Sequence, residues 1–215
     1  MRTIFVGDIH GCATEFSAVL ARVEFDVKAD RLLLTGDAFS KGPDPIGVWN
    51  QIQDTKAEMV LGNHDARLME QLSSQIQGKS PKINNRDQQR ILETLLPSAK
   101  PLLGWLESLP LFIADSGFLL VHAGINPEKG LAGTKRNEFL AIRTWPPLGG
   151  IEGPRWHDHL KPLDRILLFG HDAPGGLVEK RREDGSAWLI GLDSGCVYGK
   201  ALSAYILEED RIVQV

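Results

Sequence analysis

An α/β fold with a largely parallel sheet at its start is predicted by two features of this 215-residue sequence. Short apolar runs recur, each stopping on a glycine or a histidine: "TIFV" before Gly7-Asp8, "LLLT" before Gly36-Asp37, "MVL" before Gly62-Asn63, "FLLV" before His122, and "ILLF" before Gly170-His171. Between the first three lie stretches of helical period, and strand, helix, strand at this spacing makes β-α-β units.

Each element has its own signal. Phe16, Val19, Leu20 and Val23 form one apolar helix face, and Ile46, Trp49 and Ile52 form a second. Leu68, Leu72 and Ile76 share a face of a third helix that starts after His64, and the segment from Lys79 to Lys82, with Pro81, ends it. Two further amphipathic pieces follow, one with Ile91, Leu92, Leu95 and Leu96 and one with Leu102, Leu103, Leu106 and Leu109, punctuated by Pro97 and Pro101. They predict a small helical insert around residues 79–109 within a single domain spanning 1–215. From 126 to 165 periodicity fails, and "TWPPLGGIEGPRW" predicts a long loop that could overhang a site. The tail, "AWLIGLDSG", "KALSAYIL" and "RIVQV", reads as antiparallel strands.

Composition narrows the function. A hydrophobic content of 42% over this length buries a core without disulfides, and a net charge of −4 leaves no basic stripe for nucleic acid as a main partner. No apolar run approaches a membrane span, and the N-terminus lacks the pattern of a signal peptide, so a cytoplasmic protein with no membrane partner is expected. The only cysteines, Cys12 and Cys196, have no C-x-x-C spacing and suit a reducing compartment; whether they meet is open at this level.

The chemistry lies at the strand ends. In an open α/β sheet ligands bind outside the carboxyl ends of the strands, and five runs stop there on metal-ligand types: Asp8 with His10, Asp37, Asn63 with His64, His122, and His171. Singly, each has a harmless reading as a turn or cap, but their coincidence at one rim does not. Two carboxylates, an amide and three histidines, with His64 to spare, exceed what one tetrahedral ion uses and suit two ions sharing a ligand. Mixed nitrogen and oxygen donors favour manganese, with iron or zinc as alternatives. Two such ions, about 3.5–4 Å apart, serve hydrolysis of a phosphate ester or anhydride.

"GDIHG" (7–11), "GDAFSKGP" (36–43), "GNHD" (62–65), "HAG" (122–124), "GHD" (170–172) and the closing "LDSGCVYGKAL" resemble, in order and spacing, the calcineurin-like metallophosphoesterases. The phosphoprotein-phosphatase branch is the nearest, with its bacterial protein phosphatases and symmetrical diadenosine tetraphosphatases. The resemblance implies a four-layer α/β/β/α sandwich of mixed sheets with a dinuclear centre at the strand ends. It matches Asp8 and His10 to ligands of the first metal, Asp37 to the bridging carboxylate, and Asn63, His122 and His171 to ligands of the second. It matches His64 to the general acid, and Lys41 to a phosphate-gripping arginine, without the bidentate fork. Arg143 in "AIRTW" is the candidate for a second phosphate-binding arginine.

Ser40 stands where eukaryotic-type phosphatases carry an acid, and Asp65 where they carry Glu; both departures fit the tetraphosphatases. Between "HAG" and "GH" the tetraphosphatases of the family carry a much longer segment that helps to form a nucleotide-binding cap, where this chain has only the stretch from Ile125 to Phe169. The first expectation is therefore a metal-dependent phosphatase of phosphomonoesters, including phosphoserine or phosphothreonine in proteins. The alternative is symmetrical hydrolysis of dinucleoside polyphosphates, with Trp145 and Trp156 available for a nucleobase slot. An inactive scaffold is disfavoured because no ligand is missing. Asp193 in "GLDSGC" is read as a turn former, or as a support for the site.

Overall fold

The computed structural model describes residues 1–147 and 150–215. Residues 148 and 149, inside the loop expected over 126–165, lie outside the described residues.

Two five-stranded sheets carry the fold, ordered β10-β9-β1-β2-β3 and β4-β5-β6-β8-β7. In the first, β1 (Thr3–Val6), β2 (Arg31–Leu34) and β3 (Glu58–Met59) run parallel, as the β-α-β reading requires. β9 (Ser203–Ile206) pairs antiparallel with β1, and β10 (Arg211–Gln214) antiparallel with β9. In the second, β5 (Phe118–Val121), β6 (Ile166–Phe169) and β8 (Ala187–Gly191) are parallel. β4 (Phe112–Ala114) and β7 (Val178–Arg181) flank them antiparallel.

The tail thus needs one correction. β9 and β10 are antiparallel as expected, but β8 returns parallel to β6, because β7 turns the chain round first. β7 alternates half-buried and exposed residues and offers no apolar run to announce it. "MVL" yields only a two-residue strand; Val60 and Leu61 are buried, and the Leu61 N–H turns to the Pro110 carbonyl, 2.9 Å away.

Side chains alternate along the strands into three cores, and three cores make four layers. Ile4, Val6, Leu32 and Leu34 face one way, against helices; Phe5 and Leu33 face the other, meeting Leu120 and Leu168 between the sheets. Leu119, Val121, Leu167 and Phe169 form the third core beneath Phe139 and Trp156.

The helices over the first sheet are α1 (Ala13–Arg22), α2 (Pro45–Thr55), α3 (Asn63–Ile76), α4 (Arg86–Leu95) and α5 (Ala99–Ser108). Asp44 caps α2 through the Gly47 N–H (2.8 Å) and Asn85 caps α4 through the Gln88 N–H (2.9 Å). Of the expected α3 face, Leu68 and Leu72 are buried, whereas Ile76 at the helix end is exposed. Leu92, Leu95, Leu102 and Leu106 join α4 and α5 to the same core as α1–α3, so these helices extend the outer layer. Pro101 lies in the first turn of α5, where a proline's missing N–H costs nothing.

The expectation of a structureless loop over 126–165 is also corrected. It holds α6 (Gly130–Gly133), α7 (Arg136–Ala141) and a 3₁₀ turn, Trp156–His159. These pieces are too short for a periodic signal, and they are held by Phe139 and Trp156, which are buried on the second sheet. Among the described residues no helix is long and apolar enough to cross a membrane.

Candidate dinuclear metal centre

The strand ends converge. Asp8 follows β1, Asp37 follows β2, Asn63 opens α3 after β3, His122 follows β5 and His171 follows β6. Donor atoms of Asp8, His10 and Asp37 lie within 4.8 Å of one another, as do those of Asp37, His122 and His171. Asp37 is common to both groups: its Oδ2 is 3.8 Å from His10 Nε2 and 3.6 Å from His122 Nε2. Asn63 Oδ1 joins the second group, 3.1 Å from His122 Nε2.

The backbone bends sharply to aim these groups. His10, Asp37, Lys41 and His171 all have left-handed φ, at 49°, 53°, 67° and 68°, a conformation that non-glycine residues adopt at a cost of about 1–3 kcal/mol each.

Hydrogen bonds then fix the side chains. Asp8 is held from both sides, by Thr35 Oγ1 on Oδ1 (2.6 Å) and by the His171 N–H on Oδ2 (2.9 Å). The Thr35 carbonyl also accepts from His122 Nδ1 at 2.8 Å, which leaves the lone pair on Nε2, facing the site. Asp37 Oδ1 accepts the His64 N–H at 2.8 Å. Beneath it, the buried Asp65 carboxylate accepts from the N–H groups of Asp37 (2.6 Å), Ala38 (3.1 Å) and Gly62 (3.2 Å). Ser40 Oγ meets His10 Nδ1 at 2.7 Å rather than His64. The sequence reading gave no role to Thr35 and none beyond motif comparison to Asp65; a threonine closing the run "LLLT" was the one visible sign.

The electrostatics favour cations. Burial, then the neighbouring Asp193 and Asp37 carboxylates, pushes the Asp8 carboxyl well above its usual range. Burial likewise raises Asp37 and Asp65 to about 7. The imidazoles move the opposite way: burial lowers His122 to about 4 and His64 to about 3, the latter helped by the Lys41 charge. His10 and His171 are also lowered, again chiefly by burial. Buried carboxylates that resist ionising beside imidazoles that refuse protons form a donor set that divalent ions would satisfy. His171 Nε2, buried with no hydrogen-bond partner among the described residues, is one such waiting donor.

The remaining predicted residues line the cleft over this centre. His64 packs edge-on against His10, with ring centroids 5.2 Å apart. Lys41 Nζ is 3.3 Å from His10 Nε2 and donates to Tyr198 Oη at 2.8 Å. Arg143 lines the cleft with them; its Nη2 donates to the His171 carbonyl (3.1 Å), and its Nε is 3.7 Å from Asp172. Tyr198 and Lys200 line it too, and sequence reasoning missed both, because a tail loop gives no sign of where it returns. Asp193 is buried at the cleft and accepts the Gly195 N–H at 3.1 Å, so it is a turn former that also faces the site.

Two expectations fare differently. Trp156 is buried on the second sheet, its ring filling the space beside Gly124, and offers no nucleobase slot; Trp145 spends its indole N–H on Glu128, 3.1 Å away. Cys12 and Cys196 do meet: their sulfurs and the Glu15 carboxylate lie within 4.8 Å of one another.

The calcineurin-like phosphoesterase family profile matches residues 1–210. The chain belongs to the calcineurin-like phosphoesterases. As a member of that family it is a phosphoric ester or anhydride hydrolase. Members of the family similar to it include proteins named symmetrical bis(5'-nucleosyl)-tetraphosphatase. The one from Chromobacterium violaceum is 30% identical over 96% of this chain and 92% of its own length. The one from Vibrio cholerae is 35% identical over 94% of each. A solved structure provisionally assigned as a diadenosine tetraphosphatase superposes with a TM-score of 0.79 at 30% identity, covering 100% of this chain and 92% of that one. A Saccharomyces cerevisiae serine/threonine phosphatase shares the fold at 14% identity, with a TM-score of 0.60 over 100% of this chain and 79% of its own.

These names favour the dinucleoside polyphosphate alternative over the phosphoprotein reading placed first from the sequence. The alignment with the C. violaceum phosphoesterase runs over 268 positions against 215 residues here, so that relative carries residues that this chain does without.

Proposed function

We propose that this chain hydrolyses dinucleoside polyphosphates, adding water across the central anhydride of a tetraphosphate to release two nucleoside diphosphates. The carrying observation is the basic lining. Lys41, Arg143 and Lys200 face the cleft and Arg67 lines the groove beyond His64, more positive charge than one phosphomonoester calls for. Similarity to relatives named for that reaction supports the choice.

Asp8, His10 and Asp37 would hold one divalent ion, and Asp37, Asn63, His122 and His171 the other, with manganese first and iron or zinc as alternatives. When bound, the ions would polarise a phosphoryl oxygen and lower the pKa of a water molecule. Asp37 is kept in place for both by the His64 N–H. Lys41 and Arg143 would grip the phosphate oxygens. His64 carries the proton for the departing oxygen, and a polyphosphate beside it raises its otherwise depressed affinity for that proton. The free thiols of Cys12 and Cys196, close but unjoined, fit a reducing, cytoplasmic setting.

The test is kcat/KM with manganese on diadenosine tetraphosphate, a phosphoserine peptide and p-nitrophenyl phosphate. The tetraphosphate is expected to lead; a phosphopeptide ahead of it would restore the phosphomonoesterase reading.

A further inference from the structure

A second groove, separate from the metal cleft, runs between α3 and α4. Lys41 and His64 border both, so the two spaces meet at the residue that would protonate the leaving group. A general acid must lie on the leaving-group side of the phosphorus. Whatever leaves past His64 therefore enters this groove.

Its walls suit a nucleotide. From His64, Arg67, Leu68 and Gln71 follow at three, four and seven residues along α3, which puts them on one helix face leading away from the site. Arg67 is exposed and makes no ion pair or hydrogen bond among the described residues, so its guanidinium is free for a phosphate. Leu68 and Ile91 give the groove an apolar floor. Across it, Asp87 in the first turn of α4 offers the carboxylate that ribose hydroxyls seek. Gln88 is held by the Gln71 side chain (3.2 Å) and the Asn84 N–H (2.9 Å), both on its Oε1, which leaves its amino group to meet a base. The groove encloses about 130 Å³ and opens to solvent, so a nucleotide would lie along it as in an open cleft rather than be enclosed.

We infer that the α3–α4 groove binds the leaving nucleoside diphosphate, with Arg67 on its phosphates, Asp87 on its ribose and the Leu68–Ile91 floor under its base. This rests on the dinucleoside polyphosphate reading and deepens it. A chain that lacks part of its relatives' length can still hold a nucleotide, because helices of its own outer layer supply the slot. Symmetrical cleavage follows in outline: a nucleoside fixed beyond His64 sets which anhydride reaches the metal cleft.

The experiment uses the manganese-loaded enzyme and its Arg67→Gln and Asp87→Ala variants, both at exposed positions where folding is not at risk and is checked by thermal melting. Loss of a charged phosphate contact in Arg67→Gln is expected to raise KM for diadenosine tetraphosphate, and to weaken competitive inhibition by ADP, by about tenfold to a hundredfold. The fall in kcat/KM on p-nitrophenyl phosphate, whose leaving group ends short of the groove, should be smaller by at least about tenfold, and inhibition by inorganic phosphate should change little. Asp87→Ala should act on ADP and on the tetraphosphate, not on phosphate. If the unmodified enzyme hydrolyses the tetraphosphate well but both variants keep its KM and the ADP inhibition, the groove assignment is overturned alone. If the unmodified enzyme ignores the tetraphosphate and prefers a phosphopeptide, the functional reading falls and takes the nucleotide occupant with it. Equal losses against ADP and phosphate would make Arg67 part of the general field and would also overturn the proposal.

Discussion

Replacing Thr35 by Val removes one hydroxyl and little else. Both residues are β-branched and similar in volume, so the backbone, and with it the Thr35 carbonyl that orients His122, should stay in place. What is lost is the 2.6 Å bond to Asp8 Oδ1, between a fully buried threonine and a carboxylate only 2% exposed. A hydrogen bond to a charged group contributes about 1.5–3 kcal/mol, which corresponds to about a tenfold to hundredfold loss in affinity for an ion held by Asp8.

The loss should depend on pH in a defined direction. Burial already raises the proton affinity of Asp8, and the Thr35 bond counteracts it, so the variant's carboxyl should hold its proton to still higher pH. Proton then competes with metal, and the defect should deepen as pH falls. The assay is titration of metal-stripped protein with manganese by calorimetry at two pH values. Two binding events are expected, of which the one involving Asp8 and His10 weakens while the other changes by less than about threefold. Unaltered affinity at both sites would remove Asp8 from the ligand set. Equal weakening at both would mean that Thr35 acts through His122 instead.

Asp37→Asn should be among the most damaging changes, because one carboxylate serves both groups of donors; chelation should abolish activity in the unmodified protein and manganese should restore it. An Asp37→Asn variant that kept two ions and normal turnover would refute the shared ligand. His64→Asn should still bind two ions but lose roughly 10²–10⁴-fold in kcat on an alkyl phosphate and less on p-nitrophenyl phosphate, whose leaving group needs no proton. Equal losses on the two substrates would give His64 another role. Beside Trp156 and Phe169, burial, then the Lys180 charge, lowers His157 to about 4 in the folded chain. A lowered histidine favours the fold while neutral, so stability is full above the unfolded value near 6.5 and falls toward pH 4, by about 2–3 kcal/mol. Denaturant unfolding at pH 7 and pH 4.5 should show the His157→Gln variant losing less of its stability than the parent; parallel losses would count against the assignment.

What could be read from the sequence follows from what each feature depends on. Strands buried on both faces declare themselves as continuous apolar runs, and β1, β2, β5 and β6 were legible for that reason. β4 and β7 sit at sheet edges, with half or more of each strand exposed, and left no such mark. The candidate ligands were legible because a polar group ending a buried run is out of place unless something uses it. Thr35 and Asp65 are equally buried and equally polar, but their partners are backbone groups and a carboxylate reached only across strands, which no spacing reveals. The α3–α4 groove is hidden for a similar reason: its walls are helical faces about twenty residues apart, each of which looks on its own like an ordinary amphipathic surface.

The motif glycines connect the two levels. Gly62 and Gly170 each precede a candidate ligand, and neither needs a left-handed turn. A side chain at Gly62 would put its Cβ 2.2 Å from Asp37 Oδ1, and one at Gly170 would put it 2.0 Å from Asp8 Oδ1. Each glycine therefore makes room for a carboxylate delivered by a neighbouring strand. The recurrence of glycine before a candidate ligand, visible along the chain as "GN" and "GH", is the imprint of strands packed so closely at their ends that only hydrogen fits beside each acid. The same closeness lets Asp37 serve two groups of donors at once, so the feature that marks the motif in sequence is also the one that makes a shared centre sterically attainable.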